Sequence, residues 1–200
     1  MDDDGREAER GRTERVDAVI ELLRSGEQRS YIGEPVSQLA HALQSAHFGR
    51  IADAAPAEII AALLHDVGHL CAGPEVSVAS DLGVVHHDVV GAQYLRDLGF
   101  GGDVTDLVGG HVEAKRYLTW KNPAYFDRLS AASRKTLALQ GGPMTRDEAT
   151  AFERCGRLRS ILRVRRWDEL GKEVGLTVAG LDTYRALLID YLAATLPPTR

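Results

Sequence analysis

The sequence has only two cysteines, Cys71 and Cys155, which form neither a CxxC pair nor a spaced framework. This scarcity argues against a disulfide scaffold and predicts reduced, structural thiols. No apolar run approaches the roughly 18 residues that a membrane-spanning helix needs. The net charge of −5 argues against general binding to nucleic acid or anionic membranes, both of which favour a basic surface. Because the N-terminus is polar and acidic, unlike a signal peptide, we expect a soluble, cytoplasmic protein.

The chain also lacks the alternating apolar pattern of β-strands, whereas helical periodicity recurs along it. Its 200 residues suffice for one compact domain. Residues 1–12 have no apolar periodicity, so we predict a disordered lead-in there and a single domain over residues 13–200. The predicted fold is all-α, a compact helical bundle of about seven to nine helices.

Local signals mark several of these helices. "TERVDAVIELLRSG" has one apolar face and ends at a glycine, and Thr145 and Glu148 have the spacing of a capping box. Pro35 is expected at the start of the helix "VSQLAHALQSAHFGRIADA". "AEIIAALLHDVGHL" is nearly all apolar, which is typical of a central helix surrounded by others.

The stretch "ALLHDVGHL" places His65, Asp66 and His69 inside this apolar run. An unpaired buried carboxylate costs several kcal/mol, so Asp66 needs a partner such as a metal or a base. Helices that face one another in a bundle can direct side chains to one site, and further histidines lie on other predicted helices, namely His41, His87 and His111. Imidazole and carboxylate donors suit zinc, iron or manganese. Asp66 can serve two ions by giving one oxygen to each.

These residues resemble a known signature, the H…HD…D pattern of the HD-domain superfamily, here His41, His65, Asp66 and Asp168. His87 and His111 resemble the extra histidines of its dinuclear members, which include phosphodiesterases and oxygenases. A narrower resemblance is to the mixed-valence di-iron HD-domain oxygenases that cleave carbon–phosphorus bonds. It covers nearly the whole chain after residue 13 and is carried by "YIGEPVSQLAHALQSA", "ALLHDVGH", "VVGAQYL", "HVEAKRYL" and "LSAASRKTLALQGGPM".

The resemblance implies two iron ions, Fe(II) and Fe(III), with O2 as co-substrate. One iron would be held by His41, His65, Asp66 and Asp168, and the other by His87, His111 and the bridging Asp66. His86 competes with His87 for the fifth position, and we favour His87 because it fits the family spacing. By formal counting such a site keeps about three positive charges, which favours an anionic ligand.

Lys115 lies one helical turn after His111, and Arg165 lies three residues before Asp168, so both can reach the site. By resemblance these cations and Ser133 hold the phosphonate. Thr136 and Gln140 share the face of Ser133 and are weaker candidates. The alternative is that both cations are solvated surface charges. His69 would contact substrate or the reacting oxygen, or simply donate to a nearby carbonyl.

The stretch "YIGE" is by resemblance a gating loop. Tyr31 would occupy a vacant iron position until substrate arrives, and Glu34 would bind the substrate ammonium. We therefore favour an oxygenase that converts a 1-hydroxy-2-aminoethylphosphonate into phosphate and glycine or an N-substituted glycine. The substrate would come from an upstream iron/2-oxoglutarate hydroxylase.

Three alternatives remain at the level of the sequence. The same chemistry on the 2-trimethylammonio analogue would give glycine betaine. An HD-type metal-dependent phosphohydrolase would need most of the same residues. A helical binding module with a structural metal is disfavoured, because such sites are usually closed, four-coordinate and often rich in cysteine.

Overall fold

The computed structural model describes residues 3–31, 33–71, 84 and 86–195. Residues 1–2 of the predicted lead-in lie outside these ranges, as do residues 32, 72–83, 85 and 196–200 of the predicted domain. Within them the α-helices are α1 Asp3–Ser25, α2 Gln38–Ile51, α3 Pro56–Leu64, α4 His87–Asp97, α5 Gly102–Lys121, α6 Pro123–Arg128, α7 Ala131–Leu139, α8 Arg146–Glu153, α9 Leu158–Leu170 and α10 Leu181–Thr195. A 3₁₀ turn, Val67–His69, follows α3. Extended pairing among the described residues is confined to isolated bridges, such as the one between Ser30 and Ser37, so the predicted all-α class is confirmed.

The described residues contain ten α-helices, one more than the upper end of the predicted number. The additional helix is α6, a six-residue element that follows α5 directly. Asn122 caps it by accepting a hydrogen bond from the Ala124 amide at 3.1 Å, and Pro123 occupies its first position. The dipeptide Asn-Pro was therefore a helix-start signal that the apolar periodicity of so short an element could not reveal.

Helix α1 begins at Asp3, whereas the sequence predicted a disordered lead-in over residues 1–12. The prediction rested on missing apolar periodicity, and residues 5–12 indeed contribute nothing to the buried core. The apolar face of α1 is buried as its pattern predicted, through Val16, Val19, Ile20 and Leu23.

Helix α3 is the central helix of the core. It packs against α2, α5, α9 and α10, and the side chains from Ile60 to Leu64 are essentially inaccessible. Each buried aliphatic side chain of this kind contributes roughly 1.5–3 kcal/mol. The near-absence of polar residues in α3 is therefore explained by neighbours on several sides, as predicted.

The sequence predicted that α2 would start at Pro35, but the helix begins three residues later, at Gln38. Ser37 caps it by accepting a hydrogen bond from the Ala40 amide at 3.1 Å. A side-chain cap satisfies an amide at the helix end, which proline cannot do. The predicted capping box of α8 is confirmed, since Thr145 and Glu148 bond to each other's backbone amides.

Both cysteines are free thiols, as predicted. Burial raises the pKa of the Cys71 thiol to about 11, so this side chain is unreactive at neutral pH. Among the helices described, none is both long enough and apolar enough to cross a bilayer.

A contact between two glycines fixes the approach of α4 to the end of α3. The apolar pattern predicted a helix through Leu70, but α3 ends at Leu64 and a tight 3₁₀ turn follows. A Cβ atom on Gly68 would lie 1.9 Å from the carbonyl oxygen of His87, and one on Gly91 would lie 3.0 Å from the Gly68 amide nitrogen. Backbone meets backbone here, so no side chain can yield to make room.

We expect Gly68→Ala to lower the free energy of unfolding by about 3 kcal/mol, because overpacking against backbone forces α4 away from the turn. Urea denaturation of the metal-free protein measures this change. The control is Gly11→Ala, since Gly11 lies within α1 with nothing within 4 Å of an added Cβ. That substitution should stabilise the protein by about 0.5–1 kcal/mol through helix propensity. Equal stability of the Gly68→Ala protein and the unmodified chain would contradict the contact.

Candidate metal centre and anion pocket

A single carboxylate, that of Asp66, lies between two pairs of histidines. Its Oδ2 atom is 3.6 Å from Nε2 of His41 and 3.4 Å from Nε2 of His65. Its Oδ1 atom is 3.2 Å from Nε2 of His87 and 3.3 Å from Nε2 of His111. Asp66 follows the end of α3, so its side chain leaves the apolar core and meets helices α2, α4 and α5. The structure therefore brings five sequence-predicted ligands together, with one carboxylate oxygen facing each pair.

The sixth predicted ligand, Asp168, reaches the His41–His65 pair from α9. Its Oδ1 atom is 3.5 Å from His41 Nε2 and 3.8 Å from His65 Nε2, and it is buried without a hydrogen-bond partner among the described residues. The other oxygen accepts a hydrogen bond from Arg165. Burial acts to raise the pKa of Asp168, but the charges of Arg165 and His65 hold it well below its usual range. Asp168 is therefore an ionised carboxylate with one oxygen available to a metal.

The histidines present lone pairs to this centre. Three of them donate from Nδ1 to backbone carbonyl oxygens at 2.7–2.8 Å, in the pairs His41–Gly171, His65–Ala62 and His111–Val108. Nε2 is then the unprotonated nitrogen. The Nε2 atoms of His41 and His65 are only 3.0 Å apart, and those of His87 and His111 only 3.1 Å apart. In the His41–His65 pair two lone pairs face each other, and they repel unless a cation lies against them. With one Asp66 oxygen beside each pair of histidines, the donor set fits two metal ions.

His69 differs from these histidines in its hydrogen bonding. The Val84 amide donates to its Nδ1 atom at 3.2 Å, so its proton is on Nε2. Burial lowers its pKa to about 3, and its ring stacks on that of His87 with centroids 3.9 Å apart. Atoms of Asp66, His69 and His87 lie close enough to share an ion. The tautomer nevertheless makes Nε2 of His69 a hydrogen-bond donor, and its Nδ1 accepts an amide rather than donating to a carbonyl.

The neighbouring histidines 86 and 87 are separated by the start of α4. His87 is buried and faces Asp66, whereas His86 is exposed and precedes the helix with a left-handed φ of 58°. A positive φ is unusual for a residue with a side chain. This backbone turn aims His87 into the centre and leaves His86 at the rim of the adjacent cavity.

A cavity of about 440 Å³ adjoins the histidines and carries buried cations. Lys115 is 4% exposed and donates to Thr136 Oγ1 at 3.0 Å, while Arg165 is 3% exposed. Burial and the charge of Arg165 lower the pKa of Lys115 to about 7. Ser133 and Gln140 also line this cavity. The solvated-surface interpretation of Lys115 and Arg165 is therefore wrong, because both cations lie inside.

Tyr31 covers the His41 side of the centre. Its ring stacks on the His41 ring with centroids 3.9 Å apart. Burial and the negative charges of Asp66 and Asp168 raise the pKa of Tyr31 well above its usual range. Gly33 turns the loop at a φ of 68°, which brings Glu34 to the cavity wall.

Two residues of the site were missed by sequence reasoning. Lys172 donates to Glu34 Oε1 and to Ser133 Oγ, both at 3.1 Å. Tyr125 accepts a hydrogen bond from Arg165 Nε at 3.1 Å. Lys172 follows Asp168 by four residues, a spacing that could have suggested a shared face, but α9 ends at Leu170 before that turn is complete. Nothing in the sequence around Tyr125 indicated this contact with Arg165.

The fold and the site define an all-helical domain with two pairs of histidines from different helices. Both pairs face the carboxylate of the His-Asp doublet that follows the end of α3. The chain belongs to the HD-domain family, whose model matches residues 38–148. The matched segment contains five of the six candidate ligands, and Asp168 lies beyond it.

Three relatives extend the similarity over most of the chain. The hydroxymethylphosphonate dioxygenase of Gimesia maris is 41% identical over 175 residues, covering 86% of this chain and 85% of the relative. The glycine-betaine-forming [1-hydroxy-2-(trimethylamino)ethyl]phosphonate dioxygenase of Leisingera caerulea is 42% identical over 147 residues, covering 73% and 74%. The uncharacterized protein L432 of Acanthamoeba polyphaga mimivirus is 37% identical over 183 residues, covering 89% and 82%. The resemblance to phosphonate-cleaving HD-domain oxygenases is thereby confirmed.

The shared carboxylate predicts how metal content responds to substitution. We expect two iron ions per chain after anaerobic loading, one in His87→Ala, and fewer than one in Asp66→Ala, because Asp66 faces both histidine pairs. Elemental analysis of the desalted protein measures this content.

His86→Ala is the matched control, because it removes the adjacent imidazole and should leave two ions bound. Retention of two ions by Asp66→Ala would contradict the bridging role. Equal loss in the His86 and His87 variants would contradict the assignment of His87. Far-ultraviolet circular dichroism establishes that each variant is folded.

Proposed function

We propose that this chain is a di-iron oxygenase that uses O2 to cleave the carbon–phosphorus bond of a 1-hydroxy-2-aminoethylphosphonate. The observation that carries the proposal is the cavity beside the shared carboxylate, where buried Lys115 and Arg165 can receive a dianion. Two relatives, which align with 86% and 73% of this chain, bear the names of phosphonate dioxygenases.

Two irons are the proposed cofactor, with the six ligands divided as the resemblance implies. His41 and His65 lie near one oxygen of Asp66 and near Asp168, and His87 with His111 lies near the other oxygen of Asp66. When bound, a mixed-valence iron pair supplies the one-electron chemistry needed to use O2. The role of the chain is to bind and orient the substrate and to control access to this centre.

The phosphonate is held by the cations and hydroxyls of the cavity. Arg165 already donates from Nη1 to Asp168, while its buried Nη2 atom has no hydrogen-bond partner among the described residues. That free donor suits a phosphonate oxygen, and Lys115 adds a second positive charge. The Ser133 hydroxyl accepts from Lys172, so its own proton is free to be donated to a further oxygen. Such contacts fix the hydroxylated carbon beside the metal ligands.

His69 acts in this scheme as a neutral hydrogen-bond donor. Its low pKa and its Nε2 proton allow it to bond to the substrate hydroxyl or to a reacting oxygen without adding charge. Tyr31 shields the His41 side of the centre before substrate binds, because its ring covers that histidine.

Glu34 is the proposed partner of the substrate ammonium. Apart from histidines, Tyr31 is the single aromatic residue among the described residues that line the cavity. Quaternary ammonium groups are usually bound by cages of several aromatic rings, so one carboxylate favours a primary amine. The trimethylammonium compound stays the second candidate because a relative bears that name. In either case an upstream hydroxylase must supply the 1-hydroxyl group.

The first experiment supplies iron-loaded protein with O2 and 2-amino-1-hydroxyethylphosphonate. We expect one phosphate and one glycine for each O2 consumed without added reductant, since substrate plus O2 has the same composition as glycine plus phosphate. Phosphorus NMR and an oxygen electrode measure this stoichiometry. Arg165→Ala should lower kcat/KM by about 10- to 150-fold, as expected for losing a bond to a charged group.

The matched comparison uses hydroxymethylphosphonate, which has no amine. Glu34→Gln should reduce kcat/KM for the aminated substrate by about tenfold and should not reduce it for the amine-free compound. Hydrolysis of phosphate esters under nitrogen, together with no oxygen consumption, would instead assign the chain to the phosphohydrolases.

The buried Lys115 predicts a pH dependence of substrate capture. Its pKa of about 7 means that the free enzyme loses this positive charge as the pH rises through neutrality. We therefore expect kcat/KM to fall above about pH 7, measured between about pH 6 and pH 9. Lys115→Arg keeps its charge over that range and should move the decline to higher pH. The same decline in the arginine variant would show that another group titrates.

A further inference from the structure

Lys172 joins three parts of the site that come from distant segments of the chain. Its ammonium donates to Glu34 in the loop and to Ser133 in α7, each at 3.1 Å, and lies 5.5 Å from the centre of the Tyr31 ring. The side chains of Lys172 and Glu34 are only 14% and 10% exposed. An ion pair so shielded from water is screened less than a surface pair.

The backbone around Lys172 is fixed on both sides. The Gly171 carbonyl accepts the Nδ1 proton of His41 at 2.8 Å. Gln44 donates to the Glu173 carbonyl at 2.8 Å and accepts from the Glu173 amide at 3.0 Å. Because α2 anchors both neighbours, the lysine is directed towards the loop by a rigid frame.

We propose that Lys172 is a positioning residue that holds the Tyr31–Glu34 loop over the metal ligands until a substrate ammonium replaces it on Glu34. This inference rests on the proposed function, since the substrate amine is assigned there to Glu34. Two ammonium groups on one carboxylate inside a cavity that already contains Lys115 and Arg165 repel each other. Binding of the substrate amine therefore displaces Lys172.

The structure offers a place for the displaced side chain. A second cavity, of about 270 Å³, shares Glu34, Ser133 and Lys172 with the first, so Lys172 lies on the boundary between them. Glu169 lines the second cavity. Its carboxylate accepts from Arg165 Nε at 3.0 Å, and the displaced ammonium can share it.

This exchange makes binding depend on the amine. A ligand with an ammonium can release the loop, whereas a ligand with only a phosphonate leaves the Lys172–Glu34 pair intact. An aminated ligand must break the Lys172–Glu34 pair in order to bind. The energy of this pair therefore weakens the binding of every aminated ligand, and a binding measurement detects the effect without turnover.

The experiment measures binding of 2-aminoethylphosphonate and ethylphosphonate to anaerobic, iron-loaded protein by calorimetry. These probes have the same carbon chain and lack the 1-hydroxyl group, so no turnover is needed. In Lys172→Met we expect affinity for 2-aminoethylphosphonate to rise about tenfold, while ethylphosphonate binds as before, since about 1.4 kcal/mol of pairing is removed. Lys172→Arg keeps the charge and should resemble the unmodified protein.

A second measurement reads the loop itself. Hydrogen exchange of the Tyr31 and Gln38 amides, which donate to Val36 and Arg29 carbonyls, should accelerate about tenfold in Lys172→Met without ligand. Amides of α7 and α9 should be unchanged, and Lys172→Arg should exchange like the unmodified chain.

Equal weakening of both probes in Lys172→Met would overturn the proposal, because it would assign Lys172 to the phosphonate. Unchanged affinities with unchanged loop exchange would overturn it as well. The proposed function is tested separately. It fails if no phosphate is released in an O2-dependent reaction, whereas the binding and exchange measurements still test the role of Lys172.

Discussion

The carboxylate of Asp66 is the constraint on which the rest of the structure depends. Its two oxygens lie within 3.6 Å of histidine nitrogens from α2, α4 and α5 and from the end of α3. An ionised carboxylate surrounded by lone pairs is unfavourable unless cations neutralise the set. Packing of α2, α3, α4, α5 and α9 therefore assembles the candidate metal ligands, because each of these helices carries or directly precedes one of them.

The positions of these ligands are set by backbone groups. Carbonyl oxygens hold Nδ1 of His41, His65 and His111, while an amide holds Nδ1 of His69. The difference determines which nitrogen is free, so it separates proposed metal ligands from a proposed substrate contact at similar distances. The contact at Gly68 is also one between backbone atoms, and it fixes how closely α4 and His87 approach the centre.

Local pattern was enough to predict most of the helices and to single out the histidines and Asp66, whereas Asp168 and the division of the ligands came from the family resemblance. Local pattern failed where tertiary packing decides. The continuous apolar run of α3 concealed its end at Leu64, and the six-residue α6 is too short to show a period. Lys172 follows the end of α9, where the helical face no longer defines its direction. Its contact with Glu34 joins residues 138 positions apart, a separation for which a single sequence has no signal.

The end of α9 explains why the metal centre and the anion pocket are one site. Arg165 bonds to Asp168 one turn later, which turns the free oxygen of that carboxylate towards His41 and His65. The same guanidinium lines the cavity with an unpartnered Nη2 atom among the described residues. A bound anion would share the arginine with the ligand carboxylate, so anion binding and the charge at the metal ligands are coupled through a single side chain.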